Sequence, residues 1–144
     1  MTNKEFVKEL IKWARILNIG TFYFHRDDTL SSAASICAMN DDKPYLRYNL
    51  KSINQYGKYY HEIIFHEFGH IINKHYLRTH ISLNERVKGE YIAEKYSFEM
   101  MQKYFPKRIK SFVKRQLKMI NDEEWTSNWP VHQEAFKRVY LRRN

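Results

Sequence analysis

The sequence predicts an α+β fold: an N-terminal helix, a small three-stranded sheet, then a histidine-bearing helix and a helical C-terminal half. Three observations predict it. Apolar residues recur at helical spacing from Phe6 to Leu17; β-branched and aromatic runs separated by turn-forming residues fill positions 21 to 50; and from about Tyr56 the apolar period is again that of a helix. At 144 residues, 43% of them apolar and 16% aromatic, the chain can bury one core but not two, so one domain over residues 1–144 is expected.

Each element has its own signal. Thr2 and Glu5 form a capping box ahead of Phe6, Leu10, Trp13 and Leu17, and Asn18 with Gly20 end that helix. Thr21 to His25 reads as a strand, closed by the turn residues Arg26-Asp27-Asp28. Ala34 to Met39 is a second strand; Asn40 to Pro44 is a turn; Tyr45 to Leu50 is a third strand, which makes the three a meander. A helix then runs from about Tyr56 to about His75 on Tyr60, Ile63, Phe68 and Ile71. Ser82 and Glu85 form a second capping box, opening a helix through Val87, Ile92, Tyr96 and Met100 that Pro106 ends. Lys107 to Ile120 is a strongly basic helix, and Pro130 opens a last one through Phe136 and Tyr140.

Charge and cysteine content narrow the chemistry. The 25 Lys and Arg against 16 Asp and Glu leave a net charge of +9, which favours acidic partners or nucleic acid but does not specify either. The single cysteine, Cys37, excludes an internal disulfide and a thiolate metal site, and fits a reducing compartment. Met1-Thr2-Asn3-Lys4-Glu5 lacks a basic stretch leading into an apolar one, and no apolar run approaches bilayer length, so a cytoplasmic protein is expected.

The informative stretch is His66-Glu67-Phe68-Gly69-His70. On a helix, residues i and i+4 share a face one turn apart, which lets two imidazoles reach one tetrahedral Zn²⁺. Glu67 follows the first histidine, so its carboxylate can act as the general base on a water that zinc has acidified. A catalytic zinc site needs a third protein ligand. The extended form with a third histidine on the same run fails here, because Asn73 and Tyr76 stand at the required glycine and histidine and His75 is one residue out of register. The stretch Glu90-Tyr91-Ile92-Ala93-Glu94 offers carboxylates at i and i+4 on a following helix, with Ala93 small enough for close helix approach. Glu90 is then the ligand and Glu94 the acceptor for the free N–H of a ligating histidine; spacing alone also permits the reverse.

These two stretches resemble the gluzincin metallopeptidases, whose His-Glu-x-x-His helix is followed by a helix with Glu-x-x-Ala-Asp or a close variant. The ImmA/IrrE-like peptidases have His-Glu-x-Gly-His and then Glu-x-x-Ala-Asn/Asp-x-Phe-Ala, against Glu90 to Ser97 here; the minigluzincins carry a further histidine that His75 matches. Glu94 stands where Asp or Asn is usual, and Ser97 where Ala is. The resemblance spans about Tyr45 to Phe105 and implies a minimal zincin-like domain that cleaves a protein or peptide substrate. It also implies an edge strand before the zinc helix that pairs with extended substrate, which points to Tyr45 to Leu50.

An amide hydrolase further needs a group to stabilise the oxyanion; His132, a tyrosine or Arg138 are the candidates. His132, like His25, His61 and His80, otherwise reads as a surface residue. The basic run Lys103 to Lys118, interleaved with Tyr104, Phe105 and Phe112, reads as a solvated face or a nucleic-acid contact. Two readings therefore compete with a zinc endopeptidase: a nucleic-acid-binding protein whose metal site is structural or vestigial, and a protein-interaction module without turnover.

Overall fold

The computed structural model describes residues 1–78 and 81–141, so the expectation for His80 lies outside the described residues. The expected α+β order is present. Helix α1 spans Asn3–Ile16 with both halves of the Thr2/Glu5 capping box formed, and Asn18 beyond its end takes a left-handed φ of 54°. Strands β1 (Tyr23–Arg26), β2 (Ala34–Ala38) and β3 (Pro44–Tyr48) make one three-stranded sheet. Helices α2 (Leu50–Gln55), α3 (His61–Ile72), α4 (Leu83–Tyr104), α5 (Ile109–Ile120), α6 (Glu123–Asn128) and α7 (Pro130–Tyr140) follow.

The sheet is not a meander. Its order is β1-β3-β2, with β1 parallel to β3 and β2 antiparallel to it. The cause lies in the two connections. Residues 39 to 43 close a tight hairpin, in which Met39 N–H donates to the Lys43 carbonyl and Asp42 adopts a φ of 61°. The β1–β2 connection is instead tied beneath the end of β3. The Asn49 amide donates to the carbonyls of Asp28 and Leu30, and Leu50 N–H donates to the Asp28 carboxylate. Asp27 to Ala33 therefore carry the chain past β3 rather than back along β1.

Two expected boundaries move for local reasons. The third strand ends at Tyr48, because the Asn49 side chain accepts from Ser52 N–H and caps α2. The long helix from Tyr56 to His75 is three pieces: a 3₁₀ turn at Gly57–Tyr59, then α3, then a 3₁₀ turn at His75–Leu77. Lys74, at φ 56°, reverses the chain after α3. The short helix α6, capped by Asp122, has no counterpart in the sequence reading.

Helices α3 and α4 cross where both lack bulk. A Cβ built on Gly69 would lie 2.9 Å from the Ala93 Cα and 3.0 Å from the Ala93 carbonyl oxygen, so glycine is required by backbone contact. One turn along α4, the Ser97 hydroxyl donates to the Glu62 carbonyl at 3.0 Å and fixes the same crossing. The buried stripe of α4 is Val87, Gly89, Ala93, Glu94, Ser97 and Met101, shifted from the apolar stripe that the sequence suggested. Gly69→Ala should force α3 and α4 apart and lower stability by about 1–3 kcal/mol, the usual cost of overpacking. Urea unfolding checks this; a loss below about 0.5 kcal/mol, the level of an ordinary surface substitution, would mean the crossing is looser than described.

Candidate metal centre

Helix α3 is buried on every face over nine consecutive residues, from His61 to Gly69, with both apolar and ionisable side chains packed inside. His66 and His70 leave it on one face, as the i, i+4 spacing requires. Glu90 reaches them from α4, which the Gly69–Ala93 contact holds close. Its Oε2 lies 2.8 Å from His66 Nε2 and 3.3 Å from His70 Nε2, and its Oε1 lies 3.2 Å from His70 Nε2. His66, His70 and Glu90 thus form a group whose donor atoms all lie within 4.8 Å of one another, a group that can hold a metal ion.

The hydrogen bonds behind the imidazoles test whether a cation fits. His66 Nδ1 lies 3.1 Å from Glu94 Oε1, and a carboxylate only accepts, so Nδ1 carries the proton there. His70 Nδ1 lies 2.8 Å from His75 Nδ1. Burial pushes the His75 pKa down to about 4, so its ring is neutral at physiological pH and the contact holds one shared proton between the two rings. With its Nδ1 proton spent on Glu94, His66 turns an Nε2 lone pair to the Glu90 carboxylate 2.8 Å away. A cation between the two removes that repulsion. In the metal-free protein a proton serves: burial opposes charge on His66, yet Glu90 and Glu94 outweigh it and hold the His66 pKa well above the ordinary imidazole value. Burial likewise opposes charge on Glu90, and the two histidines outweigh it, holding its pKa well below the usual carboxylate range. A divalent metal satisfies the same demand with more charge, and two imidazoles plus one carboxylate is a donor set that suits zinc.

Glu67 lies beside this group and borders the cleft on both sides of it. Burial raises its pKa, against the opposing charges of His70 and His66. The sequence thus places His66, Glu67, His70 and Glu90 together, and the structure brings all four to one cleft. Glu94, the alternative ligand on spacing alone, lies on the far edge of His66 instead.

Other histidines depart from expectation. His132, read as a surface residue, projects from the first turn of α7 and sets Nε2 3.3 Å from Glu90 Oε2. His61 is buried, stacked on Tyr60 and packed against Trp13 and Phe105, with burial pushing its pKa down to about 4. His25 is exposed, as expected. Arg138 pairs with Glu134 along α7, outside the residues that line the cleft. His75, one residue out of register for a ligand, reaches His70 because Lys74 turns the chain back.

The cleft runs along β2. The third strand, expected at the edge, is central, bonded on both sides; β2 is the edge strand beside the site, and Ser32, Ala34, Ser35 and Ile36 line the cleft. On one side of the metal group the walls include Ile63, Met119, Trp125, Trp129 and Phe136; on the other they include His75, Tyr76, Arg78 and Arg86. Trp125 and Trp129 therefore form cleft wall as well as packing. Comparison with protein-family models, with curated proteins and with solved structures finds no match to this chain.

Behind the centre lies a second carboxyl. Glu62 is buried one turn before His66, and burial, reinforced by the charge of Glu94, pushes its pKa up to about 8 from 4.5. A carboxyl whose folded pKa exceeds its unfolded value stabilises the fold only while protonated. Its contribution is whole below pH 4.5 and is lost as pH rises through about 8. Glu62→Gln, which stays neutral, should gain stability relative to the wild type between pH 5 and pH 9. Denaturant titrations of the metal-free proteins across that range check it, and a difference that does not change with pH would refute the shift.

Proposed function

We propose that the chain is a zinc-dependent endopeptidase that hydrolyses peptide bonds of a protein substrate. The single observation that carries this reading is the convergence of His66, His70 and Glu90 beside Glu67 in a cleft bordered by an edge strand. The likeness of His66 to His70 and of Glu90 to Glu94 to the gluzincin motifs supports the same reading.

The roles follow from position. His66, His70 and Glu90 would hold a divalent cation, which would supply Lewis acidity to the scissile carbonyl and to a water. Glu67 takes the proton of the attacking water and returns it to the leaving amine nitrogen. Its raised pKa suits a group that must hold a proton between these two steps. His132 sets Nε2 3.3 Å from Glu90 Oε2 at the mouth of the cleft, and burial lowers its pKa and keeps the ring neutral. A neutral imidazole lining the cleft beside the candidate ligands is the donor we assign to the oxygen that gains charge. The free edge of β2 offers backbone groups to an extended peptide, the recognition mode the sequence assigned to the third strand.

A nucleic-acid contact is the second reading. Lys103, Lys107, Lys110, Lys114 and Lys118 are exposed, and α5 contains no acidic residue. The aromatic component of that reading is weaker, because Phe112 is buried and Arg115 turns inward over Tyr56 and Tyr59.

The test is an incubation with zinc and a library of unstructured peptides, read by mass spectrometry. We expect one zinc per chain, cleavage by the wild type, and loss of cleavage with metal retained in Glu67→Gln. Removing the His132 donor by substitution to Ala should lower kcat by roughly 10²- to 10³-fold, the usual effect of losing an oxyanion donor. Full activity in Glu67→Gln would falsify the role given to Glu67. DNA or RNA binding that falls steeply with salt and vanishes on neutralising Lys110, Lys114 and Lys118, in a chain without cleavage, would favour the second reading.

A further inference from the structure

Helices α5 and α7 supply none of the three candidate ligands, yet each sends one buried polar side chain to the back of the metal group. Gln116, wholly buried, occupies the apolar stripe of α5 between Phe112 and Ile120. Its orientation is forced. Arg115 Nη1, which can only donate, meets Gln116 Oε1 at 2.8 Å, so the amide nitrogen points the other way. That nitrogen donates to Glu62 Oε1 at 3.0 Å and to Glu94 Oε2 at 3.2 Å. The Tyr140 hydroxyl, from α7, donates to the same Glu94 oxygen at 3.0 Å. Glu94 is therefore held by three donors from three helices: His66 Nδ1 on one oxygen, Gln116 and Tyr140 on the other.

We infer that Gln116 and Tyr140 are positioning residues for the metal ligand His66, acting through Glu94; the inference rests on the metal reading above. The geometry gives the reason. Glu94 fixes the tautomer and the ring plane of His66, but a buried carboxylate fixed at one oxygen only can pivot about its own side-chain torsions. The two donors on Oε2 remove that freedom, and a glutamate, longer than the Asp or Asn of the resembling families, is what reaches far enough between α5 and α7 to meet them. Partners of this kind behind a ligating histidine alter metal affinity by about 10- to 100-fold when removed.

The experiment compares the full chain with Gln116→Leu, Tyr140→Phe, Glu94→Gln and the double variant Glu94→Gln/Gln116→Leu. Zinc affinity is read by competition with a chelator, and the imidazole ¹⁵N spectrum of His66 is read in the metal-free proteins. Near-UV circular dichroism checks that each variant is folded, and Tyr140→Phe, which removes one oxygen atom, guards against a Gln116→Leu that fails to fold. We expect Gln116→Leu to weaken zinc binding about 10- to 100-fold and Tyr140→Phe to weaken it less, each with a shifted His66 signal. Adding Gln116→Leu to Glu94→Gln should cost less than about threefold more, because a residue acting through Glu94 has nothing left to position. A wild type that binds zinc alongside single variants that bind it equally, or losses that simply multiply in the double variant, would overturn the inference alone. A wild type that takes up no zinc would overturn the metal reading instead, and the His66 spectrum of the metal-free proteins still decides whether Gln116 and Tyr140 orient the ring.

Discussion

The contact between Gly69 and Ala93 is the constraint on which the rest depends. Glu90 and Glu94 sit three residues before and one after Ala93, and His66 and His70 flank Gly69, so the separation of the two backbones there sets every distance in the cluster. A single methyl group at either crossing point acts directly on the spacing between imidazole and carboxylate. The packing of the core and the geometry of the charged group are in this sense one problem.

Much of this was legible in the sequence where local chemistry is sufficient. The Thr2/Glu5 box, the Ser82 cap, Pro106 and Pro130 mark ends that depend on neighbours within four residues, and those ends stand. The Ser82 box forms only in part: Glu85 N–H donates to the Ser82 hydroxyl, which in turn meets the Glu85 carboxylate. The i, i+4 pairs of α3 and α4 were legible for the same reason.

What was not legible depends on partners distant in the chain. The strand order follows from Asn49 tying residues 28 and 30 beneath β3, a link across some twenty positions that no periodicity reveals. The phase of α4 was misread because its inner stripe contains Glu94 and Ser97, which a hydrophobic template discounts. Gln116 left a signal of the same kind, a polar residue between Phe112 and Ile120 on an otherwise apolar stripe, whereas His132 stood as one of several oxyanion candidates until the docking of α7 on α4 brought it to Glu90. Polar residues at core phase are thus where pattern and structure part company, and here they surround the candidate centre.

The placement of the indoles has an optical consequence. Of the three tryptophans, Trp13 is packed edge-on to Phe65 and Tyr104 in the interior, whereas Trp125 and Trp129 face the groove. Emission from the latter pair responds to anything that displaces solvent from the groove, and emission from Trp13 to loss of the interior. Trp125 and Trp129 thus place an intrinsic fluorescent reporter at the groove, with no label attached.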